Sequence, residues 1–405
     1  MEVVHERCCG LDVHKKSVVA CVLTPKHRET RTFETTTRQL LVLAEWLQSL
    51  QVTAVAMEST GVFWKPVHNV LEHYGFELLV INAHHIKKVP GRKTDVSDAE
   101  WIADLLRHGL VRGSFIPKRE DRELRELLRY RKSLVEDRTS EINRVQKVLE
   151  GANIKLSSVV TNVLGVSGRQ MLEAMIAGNN DPIELAAMAK RKLRSKTPQL
   201  EEALHGVMTE HQRMMLRNLL DHVDFLDDKI ERLSEEVETR LRPFRGQIEL
   251  LVTVPGWGFR TAELFMGVVG KNIDRFPTAG NLASWVAICP GQNESAGKRK
   301  SGRTRKGNQL LRTALVEASW GASRTLNTYV RALYYRIKAR GGAKKAAVAV
   351  AHHQLVAAYH ILKKGVPYQE LGANYFDQRD KDRAIKRAVA RIEKLGYKVS
   401  LSEAA

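Results

Sequence analysis

Cys8-Cys9-Gly10-Leu11-Asp12-Val13-His14-Lys15-Lys16-Ser17-Val18-Val19-Ala20-Cys21-Val22-Leu23 decides the fold of the first third of the chain. Two apolar runs, Cys8–Val13 and Ser17–Leu23, flank a polar turn at His14-Lys15-Lys16, which predicts a pair of strands joined as a hairpin. Asp12 lies inside the first run. A charge there is unfavourable unless a partner compensates it, so Asp12 is a candidate functional group. Outward from this pair, Arg31–Thr35 predicts a third strand. Leu40, Leu41, Leu43, Leu47 and Leu50 recur at a helical period over Thr37–Leu50. Thr53–Met57 predicts a buried strand ending at Glu58, Val62–His73 a helix closed by Gly75, and Phe76–Ile81 a strand. A basic loop follows, with Lys87, Lys88, Arg92 and Lys93, and then a helix from about Asp95 to Arg107.

The order β-β-β-α-β-α-β-α predicts an α/β layer with a mixed sheet over residues 1–113, and it resembles the ribonuclease-H-like fold. Residues 118–242 read as all-α. Leu216, Leu219, Val223, Leu226, Ile230, Leu233 and Val237 are spaced alternately three and four apart, a heptad seam. Two readings stay open for it: a helical hairpin within one chain, or a coiled coil that joins chains. Residues 246–375 carry glycine and cations first and alanine-rich helix later. The tail, 376–405, is basic. Arg379, Lys381, Arg383, Lys386, Arg387, Arg391, Lys394 and Lys398 surround Ile385, Val389 and Ile392 as in an amphipathic helix.

The whole chain of 405 residues has 65 Lys and Arg against 46 Asp and Glu, a net charge of +19. Such a surface attracts polyanions, nucleic acid before an anionic membrane. No apolar run reaches the roughly 20 residues of a bilayer span, and the first residues lack the pattern of a signal peptide. Four cysteines without CxxC spacing exclude a zinc ribbon and fit a reducing cytoplasm.

Two groups of residues carry chemistry. In the first third, Asp12, Glu58, Asp95 and Asp98 can converge at one sheet edge if their strands are neighbours. Asp95 and Asp98 are three apart and share a face of the helix they open. An all-oxygen set suits a hard divalent cation, Mg²⁺ with Mn²⁺ as the alternative, and two such ions serve phosphoryl transfer. Each acid also has an ordinary structural reading, as a first-turn or solvated residue. In the last third, Leu251-Val-Thr-Val-Pro-Gly-Trp-Gly-Phe-Arg-Thr-Ala resembles a helix-hairpin-helix element, with Gly256 and Gly258 in a turn able to hold a phosphate. From Gly291 to Arg312 there are seven cations, Lys298, Arg299, Lys300, Arg303, Arg305, Lys306 and Arg312, and one acid. Ser295 and Ser301 lie among them. A serine there could attack a phosphodiester, but the ordinary reading of a serine in such a loop, and the better one from the residues alone, is a plain hydroxyl on a basic surface.

Gly-Leu-Asp12-Val-His-Lys, Met-Glu58-Ser-Thr-Gly and Thr-Asp95-Val-Ser-Asp98-Ala resemble the DEDD signature of the "IS one-ten" family of insertion-sequence transposases, including its "IS eleven-eleven" branch. Val-Pro-Gly-Trp-Gly, Leu-Ala-Ser-Trp-Val-Ala-Ile-Cys-Pro, Ser-Ala-Gly-Lys and Arg-Lys-Gly-Asn-Gln-Leu-Leu-Arg resemble its second conserved region, in the family's order. The resemblance implies a RuvC-like domain, a helical coiled-coil oligomerisation domain and a C-terminal transposase domain. It implies that Asp12, Glu58, Asp95 and Asp98 hold Mg²⁺ and that Ser295 forms a phosphoserine link to DNA. It also implies donor and target DNA, a structured bridge RNA as guide, and dimers pairing into a tetramer, in a bacterial or archaeal cytoplasm at the nucleoid. The family usually has Ser-Gly-Gly where this chain has Ser295-Ala296-Gly297, which is unfavourable if position 296 needs positive φ. The rival readings are a metal-dependent junction resolvase without serine chemistry and a non-catalytic packaging protein.

Overall fold

A computed structural model describes residues 2–59, 61–82, 97–270, 272–291, 293–304 and 307–401. The chain divides into two compact units, Met1–Lys118 and Arg119–Ala405.

The first unit is a mixed six-stranded sheet flanked by helices. Its strands are β1 (Cys8–Val13), β2 (Ser17–Leu23), β3 (Arg28–Glu34), β4 (Ala54–Glu58), β5 (Glu77–Ile81) and β6 (Gly113–Ser114), in the order β3-β2-β1-β4-β5-β6. β1–β2 and β2–β3 are antiparallel, β1–β4 and β4–β5 are parallel, and β5–β6 is antiparallel. The helices are α1 (Thr37–Ser49), α2 (Trp64–Leu71) and α3 (Asp98–Arg107). The alternation of β1 sends Cys9, Leu11 and Val13 into a core with α1 and α2, including Leu43, Leu47 and Val67. Cys8 faces the other way, with Ala54 and Ala56 of β4 and Ala99, Ile102 and Ala103 of α3. Gly10 shares that second face. A Cβ on Gly10 would lie 2.2 Å from the Ala99 carbonyl oxygen and 2.3 Å from the Ala103 nitrogen, so α3 rests directly on the strand backbone.

The element order matches the sequence reading, with three differences. β3 spans Arg28–Glu34 where the sequence predicts Arg31–Thr35, because its exposed polar residues Arg28, Thr30 and Arg31 give no apolar alternation to mark its start. β6 has only two residues, too short for an apolar alternation to be visible. α3 begins at Asp98 and not at Asp95, because Ser97 takes the N-cap and its hydroxyl accepts from Glu100 N at 3.3 Å. The basic loop residues Lys87, Lys88, Arg92 and Lys93, and Asp95 itself, lie outside the described residues.

The second unit is helical. α4 (Arg119–Gly151) and α6 (Glu210–Leu241) form a long hairpin, and α5 (Val166–Ile176) and shorter helices fold between them. Leu216, Val223, Leu226, Ile230 and Val237 of the heptad seam are buried. They meet residues of α4 such as Leu134, Val145 and Leu149 within the same chain, the first of the two sequence readings. At the base, Leu124, Leu128, Val237 and Leu241 enter one core with α7 (Arg245–Val252), α8 (Phe259–Val269), α9 (Ala279–Val286), α10 (Gln309–Ala322) and α12 (Ala343–Lys364). The hairpin base and the region the sequence set apart at residue 246 therefore share one interior. The buried Arg131 of α4 donates to Glu263 Oε2 of α8 at 2.8 Å. α11 (Tyr329–Gly341) packs on α12, and the basic tail forms helices Tyr375–Arg379 and Lys381–Glu393 with no buried residue. No helix among the described residues is long and apolar enough to cross a membrane.

Two outcomes test this account of the first unit. Gly10→Ala should cost about 3 kcal/mol in chemical denaturation, because a Cβ at that distance from backbone forces α3 off the sheet; an unchanged midpoint would refute the close approach. Burial pushes the Cys8 thiol from 9.0 up to about 12, and raises Cys9 and Cys21 as well. A thiol whose folded pKa is raised binds its proton more tightly when folded. Its contribution is complete below pH 9 and is lost as pH climbs toward 12. Denaturation midpoints measured from pH 8 to 11 should therefore fall with a steeper slope in the parent chain than in Cys8→Ala/Cys9→Ala/Cys21→Ala.

Candidate nucleic-acid-processing site

Parallel pairing sets the acidic edge of the first unit. The β1–β4 register runs from Cys8 opposite Ala54 to Leu11 opposite Met57, so Asp12 and Glu58 are the next residue of each strand at the same sheet edge. By alternation both follow Cys8, Gly10, Ala54 and Ala56 onto the face that α3 covers. α3 runs antiparallel to β1. The Arg107 carbonyl accepts from Val4 N at 2.8 Å, the Ala103 carbonyl faces Cys8 Sγ at 3.6 Å, and Ala99 lies over Gly10. Asp98, one residue before Ala99, is thereby carried toward the Asp12 end of the strand. The structure brings Asp12 and Glu58 to one edge and the start of α3 toward it. Asp98 is the first residue of α3, and Asp95 lies outside the described residues.

Asp12 is half-buried and has a partner that the sequence reading leaves unassigned: His14 Nε2 is 3.1 Å from Asp12 Oδ2. The signal was present, since His14 follows Asp12 by two, the repeat of one strand face. Glu100 of α3 is ion-paired with Arg28 of β3, and this bridge joins the start of the helix to the neighbouring edge of the sheet. Asp104, also on α3, is exposed. Among the described residues no group of three or more His, Cys, Asp or Glu is close enough to hold a metal ion. The donor chemistry of Asp12, Glu58 and Asp98 is nonetheless oxygen only, which suits a hard divalent cation.

A separate candidate region, in the other unit, is a small hairpin that the sequence presented as a glycine-rich basic loop. β7 (Asn293–Ser295) and β8 (Lys298–Ser301) pair antiparallel, with Ser295 opposite Lys298 and Ser301 opposite Asn293. Ala296 and Gly297 make the two-residue connection, with φ of 51° and 74°. Two positive φ values in such a loop are the mark of a type I′ turn, which favours glycine at both places. The condition set out for position 296 is thus met, and Ala296 holds a left-handed conformation at a cost of about 1 kcal/mol. Ser295 is the last strand residue before the tip. Ser301 is at the opposite end, where its hydroxyl accepts from Arg303 N at 3.2 Å. A bridge between Pro290 and Thr304 closes the base, and Arg312 of α10 donates to Thr304 Oγ1 at 3.3 Å. Arg299 and Lys300 lie on β8, Lys298 and Arg303 are exposed, and Arg305 and Lys306 fall outside the described residues.

The helix-hairpin-helix-like stretch is indeed a helix-turn-helix, α7 to α8. Gly256 has a packing role there, with φ of 84° and a would-be Cβ 2.4 Å from the Ala318 carbonyl oxygen of α10. The buried Gln354 donates to the Pro255 carbonyl at 2.7 Å. The inner side of that turn is filled by protein. Gly258, by contrast, has open space where a Cβ would be.

Comparison with known proteins adds a second line of evidence. A family model described as a transposase, of DEDD and IS110 type, matches residues 9–154. A second, described as the transposase IS116/IS110/IS902 family, matches residues 248–336. The chain is 24% identical over 328 residues to the transposase for insertion sequence element IS1111A of Coxiella burnetii, covering 79% of this chain and 80% of that protein. It is 24% identical over 279 residues to a probable family 20 transposase of Pseudomonas aeruginosa, covering 68% and 72%. It is also 25% identical over 326 residues to the insertion element IS900 uncharacterized 42 kDa protein of Mycobacterium paratuberculosis, covering 72% and 80%.

The strained turn gives a direct test. Ala296→Gly should slow amide exchange on β8 about fivefold, the equivalent of about 1 kcal/mol. Ala296→Val should speed it. Equal exchange in all three chains would show that position 296 is not left-handed.

Proposed function

This chain belongs to the IS110 family of transposases, and from that premise we propose that it breaks and rejoins DNA strands through a serine-linked intermediate. The first unit is read as a RuvC-like, ribonuclease-H-like domain, a reading supported by three antiparallel strands continued by two parallel ones. Asp12, Glu58, Asp95 and Asp98 are the residues that would hold a divalent cation, with Mg²⁺ favoured by carboxylate oxygens. Such an ion, when bound, stabilises charge on the reacting phosphate oxygens. The observation that carries the reading is the parallel β1–β4 register. It brings Asp12 and Glu58 out side by side within the stretch matched by the DEDD model.

Ser295 is the proposed nucleophile. Its oxygen attacks the scissile phosphorus and loses its proton, a P–O bond to the protein forms, and the strand oxygen leaves and takes up a proton. The new ester keeps the energy of the phosphodiester. A hydroxyl of another strand can then attack the same phosphorus, release Ser295 and complete rejoining. Hydrolysis by water could not conserve that energy. Position supports Ser295 over Ser301: it is next to the turn at the tip of the hairpin, whereas the Ser301 hydroxyl is engaged with Arg303 N. Lys298, Arg299, Lys300 and Arg303 would neutralise the phosphate backbone. Guidance by a bridge RNA and assembly of dimers into a tetramer complete the proposal. Base pairing would then choose the sequence, and the net charge of +19 would serve two nucleic acids.

The test is to trap the full chain on DNA with its co-purifying nucleic acid, denature it, and look for a covalent adduct. The adduct should be present in the parent and in Ser301→Ala and absent in Ser295→Ala. Asp12→Ala should abolish divalent-ion-dependent strand cleavage. An adduct that survives Ser295→Ala defeats the assignment, and cleavage with no adduct in any chain favours a metal-dependent nuclease.

A further inference from the structure

The insert between α4 and α6 carries a basic cavity that the site above does not use. Its volume is about 480 Å³. One wall is Lys190-Arg191-Lys192-Leu193-Arg194-Ser195-Lys196, with five cations in seven residues and no acid. Lys190, Arg191, Lys192 and Lys196 line the cavity, and no Asp or Glu does. All four are exposed. Lys196 Nζ donates to the Val159 carbonyl at 3.1 Å. Among the described residues none of the five cations is paired with a carboxylate. Elsewhere on the insert the cations do find acids: Lys155 binds Glu150, and Arg169 binds Glu173 and Asp224. The unpaired set is thus specific to this wall.

The opposite wall is the start of α5. Its N-cap is Gly165, and no side chain caps it. Its first-turn N–H groups and the positive end of its dipole therefore add to the lysines. Ser167 accepts from Lys190 N at 3.0 Å and ties the walls together, while Asn162 adds a further polar group to the lining. Cations gathered without acids repel one another until an anion enters.

We propose that this cavity binds backbone phosphates of a nucleic acid. The inference rests on the reading of the chain as a nucleic-acid-processing protein, and it adds an anchoring site on the insert, packed on its own core apart from the β7–β8 hairpin. Lysines and a helix amino terminus hold phosphate without selecting bases, so the site supplies affinity and orientation. DNA and RNA share this chemistry, and the experiment separates them.

The full chain carrying Lys190→Gln/Lys192→Gln/Lys196→Gln is compared with the parent by fluorescence anisotropy, on a DNA duplex and on an RNA hairpin, across a salt series. Affinity for at least one probe should fall about tenfold or more at fixed salt. The slope of log K against log salt should become shallower by about two to three. The probe that responds identifies the source of the phosphate. A companion, Lys147→Gln/Arg232→Gln/Arg242→Gln, removes equal charge from exposed positions outside the cavity and should change both readings much less. Unchanged binding of both probes, or an equal loss in the companion, overturns the proposal. The readout is equilibrium binding, so it stands or falls separately from adduct formation at Ser295.

Discussion

The close seat of α3 on β1 at Gly10 is the constraint on which the first unit depends. With no side chain there, the Ala99 carbonyl and Ala103 nitrogen approach the strand itself. That approach fixes the helix antiparallel to β1, as the Val4–Arg107 and Cys8–Ala103 contacts also show. A parallel neighbour, β4, then puts Glu58 beside the exit of Asp12. One missing methyl thus aligns three chain segments far apart in sequence at one sheet edge. Bulk hydrophobic burial cannot do this alone, because it has no direction.

The second unit follows a different rule. Its heptad seam is satisfied within the chain, against α4, and the base of that hairpin merges with the core of the helices that follow. Any assembly of chains through this region must therefore use other faces of the two helices or open the pair. Opening would expose Val223, Leu226 and Ile230, which are buried here, and that carries a hydrophobic cost.

Much of this was legible in the sequence, because periodicity reports on burial and burial is what the fold uses. β1, β2 and α1 fall within a residue of their expected bounds. Less visible were features set by a single atom or by tertiary context. The start of α3 moved to Asp98 because one hydroxyl, that of Ser97, satisfies the first turn. The β7–β8 hairpin was hidden because its strands are short and polar, with no apolar alternation to mark them. Gly256 reads from sequence as a phosphate turn, whereas its neighbours in space show close packing on α10. For the candidate site, Asp12 and Glu58 were readable as strand-end acids, but their adjacency needed strand order, which no local pattern encodes. The His14 partner of Asp12 depends on a side-chain contact at the strand end. The comparisons add family membership to this.

The hairpin of α4 and α6 has a separate core at each end, one around Leu124 and Val237 and one around Leu149 and Leu216. Twenty-five helical residues separate Leu124 from Leu149, a span of roughly 40 Å at 1.5 Å per residue. Two paired helices of that length hold the two cores at a set separation. Lengthening both helices by one heptad would move those cores roughly 10 Å further apart while leaving the packing inside each intact.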